Sequence, residues 1–119
     1  MVLTGCLSGP SVTNASLAPE TPNIAALTGG LLAQPGGVEL PASAKRQALE
    51  AEYQALQFGR VGQPIDWSAE GFRGEVVPTQ LYRVGSQDCR GYTHSVSRGT
   101  TTVRQIGTAC RSGDLWTPV

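Results

Sequence analysis

The 119-residue chain is poor in aromatic residues, in charge and in histidine. Its two tryptophans, three tyrosines and two phenylalanines all lie after residue 52. Cores depend on such large side chains, so the packed part of the chain is expected in the second half. Nine basic and nine acidic residues balance to a formal net charge of zero. That excludes the basic footprint of a nucleic-acid binder and a polybasic membrane patch. No apolar run approaches the roughly 18 residues of a transmembrane helix. The single histidine, His94, has no cysteine or carboxylate at metal-ligand spacing around it, so no metal and no cofactor is expected.

What is abundant is glycine and proline, at fifteen and eight residues, and they are unevenly placed. Five prolines, Pro10, Pro19, Pro22, Pro35 and Pro41, punctuate residues 7–42 among serine, threonine and glycine. This stretch reads as a flexible tether, interrupted by one apolar piece from Ile24 to Ala33 that is too short to span a bilayer. Ahead of it, Leu3-Thr4-Gly5-Cys6 has the form of a bacterial lipobox: an apolar residue, two small ones, then cysteine. Small residues let a peptidase reach the bond before the cysteine, and the thiol accepts diacylglycerol. Residues 1–6 are therefore expected to be the remnant of a lipoprotein signal, with Cys6 as the acylation site (diacylglycerol, palmitate). The upstream basic and hydrophobic regions of a full signal peptide are missing from the five preceding residues.

The other two cysteines bracket a β-hairpin. Gly99-Thr100 suits a type II′ two-residue loop, with glycine at the first central position. Residues facing each other across that loop have numbers summing to 199, as Cys89 and Cys110 do. Counting outward, they fall at a non-hydrogen-bonded site, where Cα atoms approach to about 4.5 Å, within disulfide range. The same register sets Tyr92 against Gly107 and Val96 against Val103. A β-bulge would break the sum, and two buried free thiols are the competing reading. Pairing Cys89 with Cys110 leaves Cys6 as the odd thiol, which acylation accounts for. A disulfide also points to an oxidising compartment such as the periplasm.

Residues 44–58 predict a helix, with Ser43 as N-cap and Gly59 at its end. Leu49, Tyr53 and Leu56 define its apolar face, flanked by Ala48 and Ala55. Lys45 and Arg46 near its start and Glu50 and Glu52 further on oppose the helix dipole, so tertiary packing is expected to stabilise it. Strands are predicted over 61–67, over 72–78 and, as a short separate piece, over 81–84. The cysteine hairpin follows, and then a last strand over 115–119. The fold class is α+β: one helix packed on a small antiparallel sheet of four or five strands, preceded by the Pro/Gly-rich tether. The module occupies 43–119.

One succession of residues carries a family likeness. Trp67, Gly74-x-Val76-x-Pro78, Tyr82, Cys89-Arg90-x-Tyr92, Gly107-Thr108-Ala109-Cys110-Arg111 and Trp116 resemble the C-terminal domain of the rickettsial-type 17-kDa surface antigen family, over roughly residues 46–119. The resemblance implies an outer-membrane lipoprotein and no catalytic residues. The chain departs from the family before the domain. Gly29-Gly30 and Gly36-Gly37 stand where the family carries a longer glycine zipper.

Catalytic arrangements are weak. Asp66, Asp88 and Asp114 fall at predicted turns or strand ends, where capping explains them. Gly71-Phe72-Arg73-Gly74 lacks the lysine and the following helix of a phosphate loop. Arg90 and Arg111 flank the cysteines. They are candidate contacts for an anionic partner, against the alternative of edge charges that discourage sheet-to-sheet aggregation. Trp67 and Trp116 are expected under the helix. The chain is expected to be a non-enzymatic envelope lipoprotein, anchored in the outer membrane by its N-terminal lipid. Its role is structural or partner-binding, as an accessory subunit of a membrane assembly. The alternative is a small periplasmic inhibitor or binding module for an envelope enzyme or polymer.

Overall fold

A computed structural model of the chain describes residues 21–119; Cys6 and its lipobox lie outside them. Two short pieces come first: α1, Pro22–Ala25, and a 3-10 turn, Leu31–Ala33. The main helix α2, Ala42–Phe58, follows. Five strands complete the chain: β1 Ile65–Ala69, β2 Phe72–Val84, β3 Gln87–Arg98, β4 Thr101–Ser112 and β5 Leu115–Pro118. They form one antiparallel meander in the order β1-β2-β3-β4-β5. The helix packs on one face, giving the expected α+β architecture.

Turn chemistry makes the meander. Glu70 and Gly71 both have positive φ, as a type I′ loop requires. Gly85, Gly99 and Gly113 each have φ near +60° while the next residue does not, the pattern of type II′ loops. The register about Gly99-Thr100 is the predicted one, from Arg98 opposite Thr101 to Cys89 opposite Cys110, without a bulge. Cys89 and Cys110 form a disulfide with their Cα atoms 4.0 Å apart.

The strand boundaries expected before this hairpin need correction. Residues 61–64 precede β1 rather than belonging to it, so Pro64 does not interrupt the strand. The pieces over 72–78 and 81–84 are one strand with a register shift between Pro78 and Leu81. Pro78 faces Tyr92 at a non-hydrogen-bonded position and its carbonyl accepts the Gly62 N–H, so the N–H that proline lacks would point away from β3. At the register shift Thr79 carries the ladder contact. Its hydroxyl accepts the Gly91 N–H at 3.1 Å and lies 3.2 Å from the Gly91 carbonyl.

The core lies between helix and sheet. From β3 the inner face presents Arg90, Tyr92, His94 and Val96, alternating with outward residues. Trp67, Phe72, Val76, Ala109 and Trp116 join them, and α2 contributes Ala48, Leu49, Ala55 and Leu56. Tyr53 is only partly buried and packs edge-on against Phe58. The Trp67 indole lies over Gly74, its cross-strand partner, where a Cβ would collide with the ring. That close approach requires glycine.

The tether expectation fails for residues 21–42. Ile24, Leu27 and Leu31 from the apolar piece are buried in the core, and Leu31 sits against Gly107. Each fully buried leucine contributes about 2 kcal/mol of transfer free energy, which offsets part of the ordering cost of this proline-marked segment. The packed unit therefore begins by Thr21, whose hydroxyl caps α1. Ser43 is not the N-cap of α2. The helix starts at Ala42 after Pro41, and the Ser43 hydroxyl donates to Glu70 at 2.6 Å.

Candidate functional site

The meander leaves two unlike faces. The inner one holds a buried polar chain. The Trp67 indole N–H donates to His94 Nε2 at 2.8 Å, and His94 Nδ1 lies 2.7 Å from Glu52 Oε2. Glu52 is fully buried and His94 is 1% exposed. An indole nitrogen only donates. His94 Nε2 is therefore the acceptor, the ring proton sits on Nδ1, and Nδ1–H donates to Glu52. This tautomer follows from hydrogen-bond roles alone. Both ring nitrogens are engaged away from solvent, so the imidazole cannot serve as a base to an external substrate. Glu52 Oε1 has no hydrogen-bond partner, and the Tyr92 hydroxyl has at most the Leu31 main chain beside it. Burial pushes the Glu52 carboxyl above its ordinary range, with the His94 contact opposing. Burial and the neighbouring Glu52 push the Tyr92 hydroxyl up as well.

Arg90 is not available to a partner, contrary to its sequence-based assignment. It is 7% exposed, and its guanidinium donates to four carbonyls: Thr79 at 2.8 Å, Ala55 at 3.2 Å, Leu56 at 3.0 Å and Gly59 at 2.7 Å. The last three close the C-terminus of α2. The helix carries no basic residue in its last turn, and β3 supplies the cation that the dipole favours there. Arg111 stays half-buried. It pairs with Asp88 at 2.8 Å and lies over the Trp116 ring at 5.3 Å. Trp116 donates to Gln57 at 2.8 Å, tying β5 to the helix. Neither tryptophan forms a surface pair; both are core, as expected.

Sequence reasoning missed the Glu52–His94 contact. A signal was present. Glu52 lies within the stripe of Ala48, Leu49, Ala55 and Leu56, at i+3/i+4 spacing. A charged residue centred on an apolar face needs a partner, and the single histidine was the natural one.

The outer face is the candidate binding surface. An open groove of about 880 Å³ runs along the β1–β2 side of the sheet and is lined by Asp66, Ser68, Arg73, Glu75, Ser95 and Ser97. Asp66 and Glu75 are directly opposite in the β1–β2 register. Counting from the Glu70-Gly71 loop, the pair is a non-hydrogen-bonded one, where side chains approach most closely, so two like charges face each other at a cost. Arg73 lies on the same face, two residues from Glu75. Ser97 and Thr102 hydroxyls share a hydrogen bond of 2.8 Å across β3 and β4. The groove can satisfy a ligand that offers many hydrogen-bonding groups together with positive charge. Asp66 and Asp88 are each the second residue of a strand, β1 and β3, close to the strand ends expected for them. Among the described residues no cluster of His, Cys, Asp or Glu is placed to hold a metal ion.

No family model, curated protein or solved structure matches the chain. Among the described residues, no helix is long and apolar enough to cross a membrane.

Proposed function

We propose that this chain is a non-enzymatic lipoprotein of the bacterial envelope that holds a small binding module at a membrane through Cys6. The observation that carries the reading is the Cys89–Cys110 disulfide, bonded across β3 and β4. Such bonds persist in oxidising compartments, and the remaining cysteine lies in a lipobox context. The engagement of His94 on the inner face supports a binding rather than a catalytic role. The likeness to the rickettsial-type 17-kDa surface antigens, carried by the residues quoted above, agrees with an outer-membrane location. The module then serves as an accessory subunit of a membrane assembly. The polar groove on the outer face favours the second reading, a binding module for an envelope enzyme or polymer.

Fractionation tests the anchor. The protein expressed from its natural gene is expected in the outer-membrane pellet, and Cys6→Ala is expected to move it to the soluble fraction. A wild-type protein recovered wholly in the soluble fraction would sink the reading.

A further inference from the structure

The segment ahead of α2 is attached unlike the rest of the module. The main-chain hydrogen bonds of residues 21–37, from Ile24 N–H on the Thr21 carbonyl to Gly37 N–H on the Gln34 carbonyl, close within the segment. Among the described residues no main-chain bond joins it to α2 or to the sheet. Buried Ile24, Leu27 and Leu31 hold it down, with Leu32 and Val38 partly buried beside them. Cavities flank its far end: about 270 Å³ against Leu32, Val38, Leu40 and Lys45, and about 350 Å³ against Val38, Phe72, Val96 and Arg98. Such a strap can lift as a unit without breaking the sheet ladder.

Beneath it lies the end of the buried polar chain. A Cβ on Gly30 would stand 3.2 Å from the Tyr92 hydroxyl, and the Leu31 main chain lies beside the same group. Tyr92 in turn feels the Glu52 carboxyl, whose Oε1 is buried without a partner. An ionised Glu52 finds no compensating charge here. His94 gives its Nδ1–H to Oε2 and must keep Nε2 open to accept from Trp67, so the ring stays neutral. The strap carries no ionisable side chain before Glu39, which is exposed. On α2, Lys45, Arg46 and Glu50 are not buried. β1 and β2 turn Trp67, Phe72 and Val76 inward, and β5 turns Trp116. Arg111 of β4 is paired with Asp88, and Arg90 of β3 is engaged at the end of α2. His94 and Tyr92 are the titratable groups that face Glu52.

We infer that residues 21–38 form a pH-gated strap, closed over Tyr92 and Glu52 while the Glu52 carboxyl holds a proton and lifted when it is ionised. A buried carboxylate with one oxygen unsatisfied is costly, and lifting the strap lets water reach the Tyr92 hydroxyl and the oxygen next to it. Burial raises the Glu52 carboxyl above its ordinary 4.5 in the closed form, whereas hydration returns it towards that value. Closure by this group is therefore complete below about pH 4.5 and is lost as pH rises through the closed-form value. Between the two, each pH unit moves the equilibrium about tenfold towards the open form. The gate belongs to the folded unit and does not depend on the lipid.

Hydrogen exchange on the full chain, read by NMR and corrected for intrinsic rates, tests it. The Leu27 and Gly30 amides bond within the strap and report its opening. Val96 and Val103, opposite each other in β3 and β4, report unfolding of the whole module. The strap amides are expected to be at least tenfold less protected than those two, and to lose a further tenfold or more from about pH 5 to about pH 8. In Glu52→Gln the strap profile is expected to be flat over the same range. Tyr92→Phe is expected to keep the fall, since the carboxyl remains. Strap protection equal to that of Val96 and Val103 would mean that the strap leaves only when the module unfolds, and overturns the proposal. So does a flat wild-type profile, a fall that persists in Glu52→Gln or disappears in Tyr92→Phe, or opening on acidification, which would make His94 the switch.

Discussion

Replacing Arg90 by alanine tests the packing account at its tightest point. The guanidinium contacts four carbonyl oxygens from two elements. Ala55 keeps a partner without it, because its carbonyl also accepts the Gly59 N–H at 3.0 Å. The carbonyls of Leu56, Gly59 and Thr79 lose theirs. A hydrogen bond to a charged group is worth about 1.5–3 kcal/mol net. Two of the three lost acceptors, Gly59 and Thr79, are only partly buried, so water recovers much of their share. With the lost packing of the arginine stem, the expected destabilisation is about 3 kcal/mol. Urea unfolding followed by circular dichroism measures it through the shift in midpoint at constant slope. Arg90→Lys is expected to recover less than half, since one ammonium cannot reach oxygens that a planar fork spans. Hydrogen exchange is expected to quicken first at residues 55–59. A surface cation would cost within about 0.5 kcal/mol. A loss that small for Arg90→Ala, or full rescue by lysine, would refute the capping role.

Two further outcomes follow from the same geometry. The Glu52 carboxyl is raised from its ordinary 4.5 by burial, so between the unfolded and folded values the native state holds the extra proton. Stability from this group is complete below about pH 4.5 and is lost as pH rises through the raised value. Glu52→Gln keeps an acceptor for His94 Nδ1–H and removes the ionisation, so its stability is expected to gain on wild type as pH rises; parallel pH profiles would contradict this. The Cys89–Cys110 bond closes a loop with a sequence separation of 21, for which loop entropy gives about 3 kcal/mol. The double replacement Cys89→Ser, Cys110→Ser is expected to lower stability by that order in thermal unfolding, and an unchanged midpoint would argue against the bond as a staple.

The hairpin was legible because its signals are local. A glycine suited to a type II′ loop, strict alternation and two cysteines at matching offsets leave one register. The main helix was legible from composition and spacing, though its start and its buried face shifted by a few residues. The strand through Pro78 was misread because the side on which proline lacks its N–H faces away from β3 while a threonine hydroxyl carries the contact to Gly91 at the register shift, and propensity does not see that. The burial of Ile24, Leu27 and Leu31 was hidden by the prolines and glycines around them, which mark turns but do not exclude packing. The roles of Arg90 and Glu52 depend on contacts across more than thirty residues of sequence. Flanking a cysteine made Arg90 look like an edge charge. Its place two positions before Tyr92 on the inward parity of β3 already set it against the helix.

Intact-mass spectrometry of the protein purified from bacterial membranes, after alkylation of free thiols without reduction, tests the central claim most directly. The account predicts acylation at Cys6 and no alkyl adduct on Cys89 or Cys110. An unacylated Cys6, or alkylated Cys89 and Cys110, would contradict it.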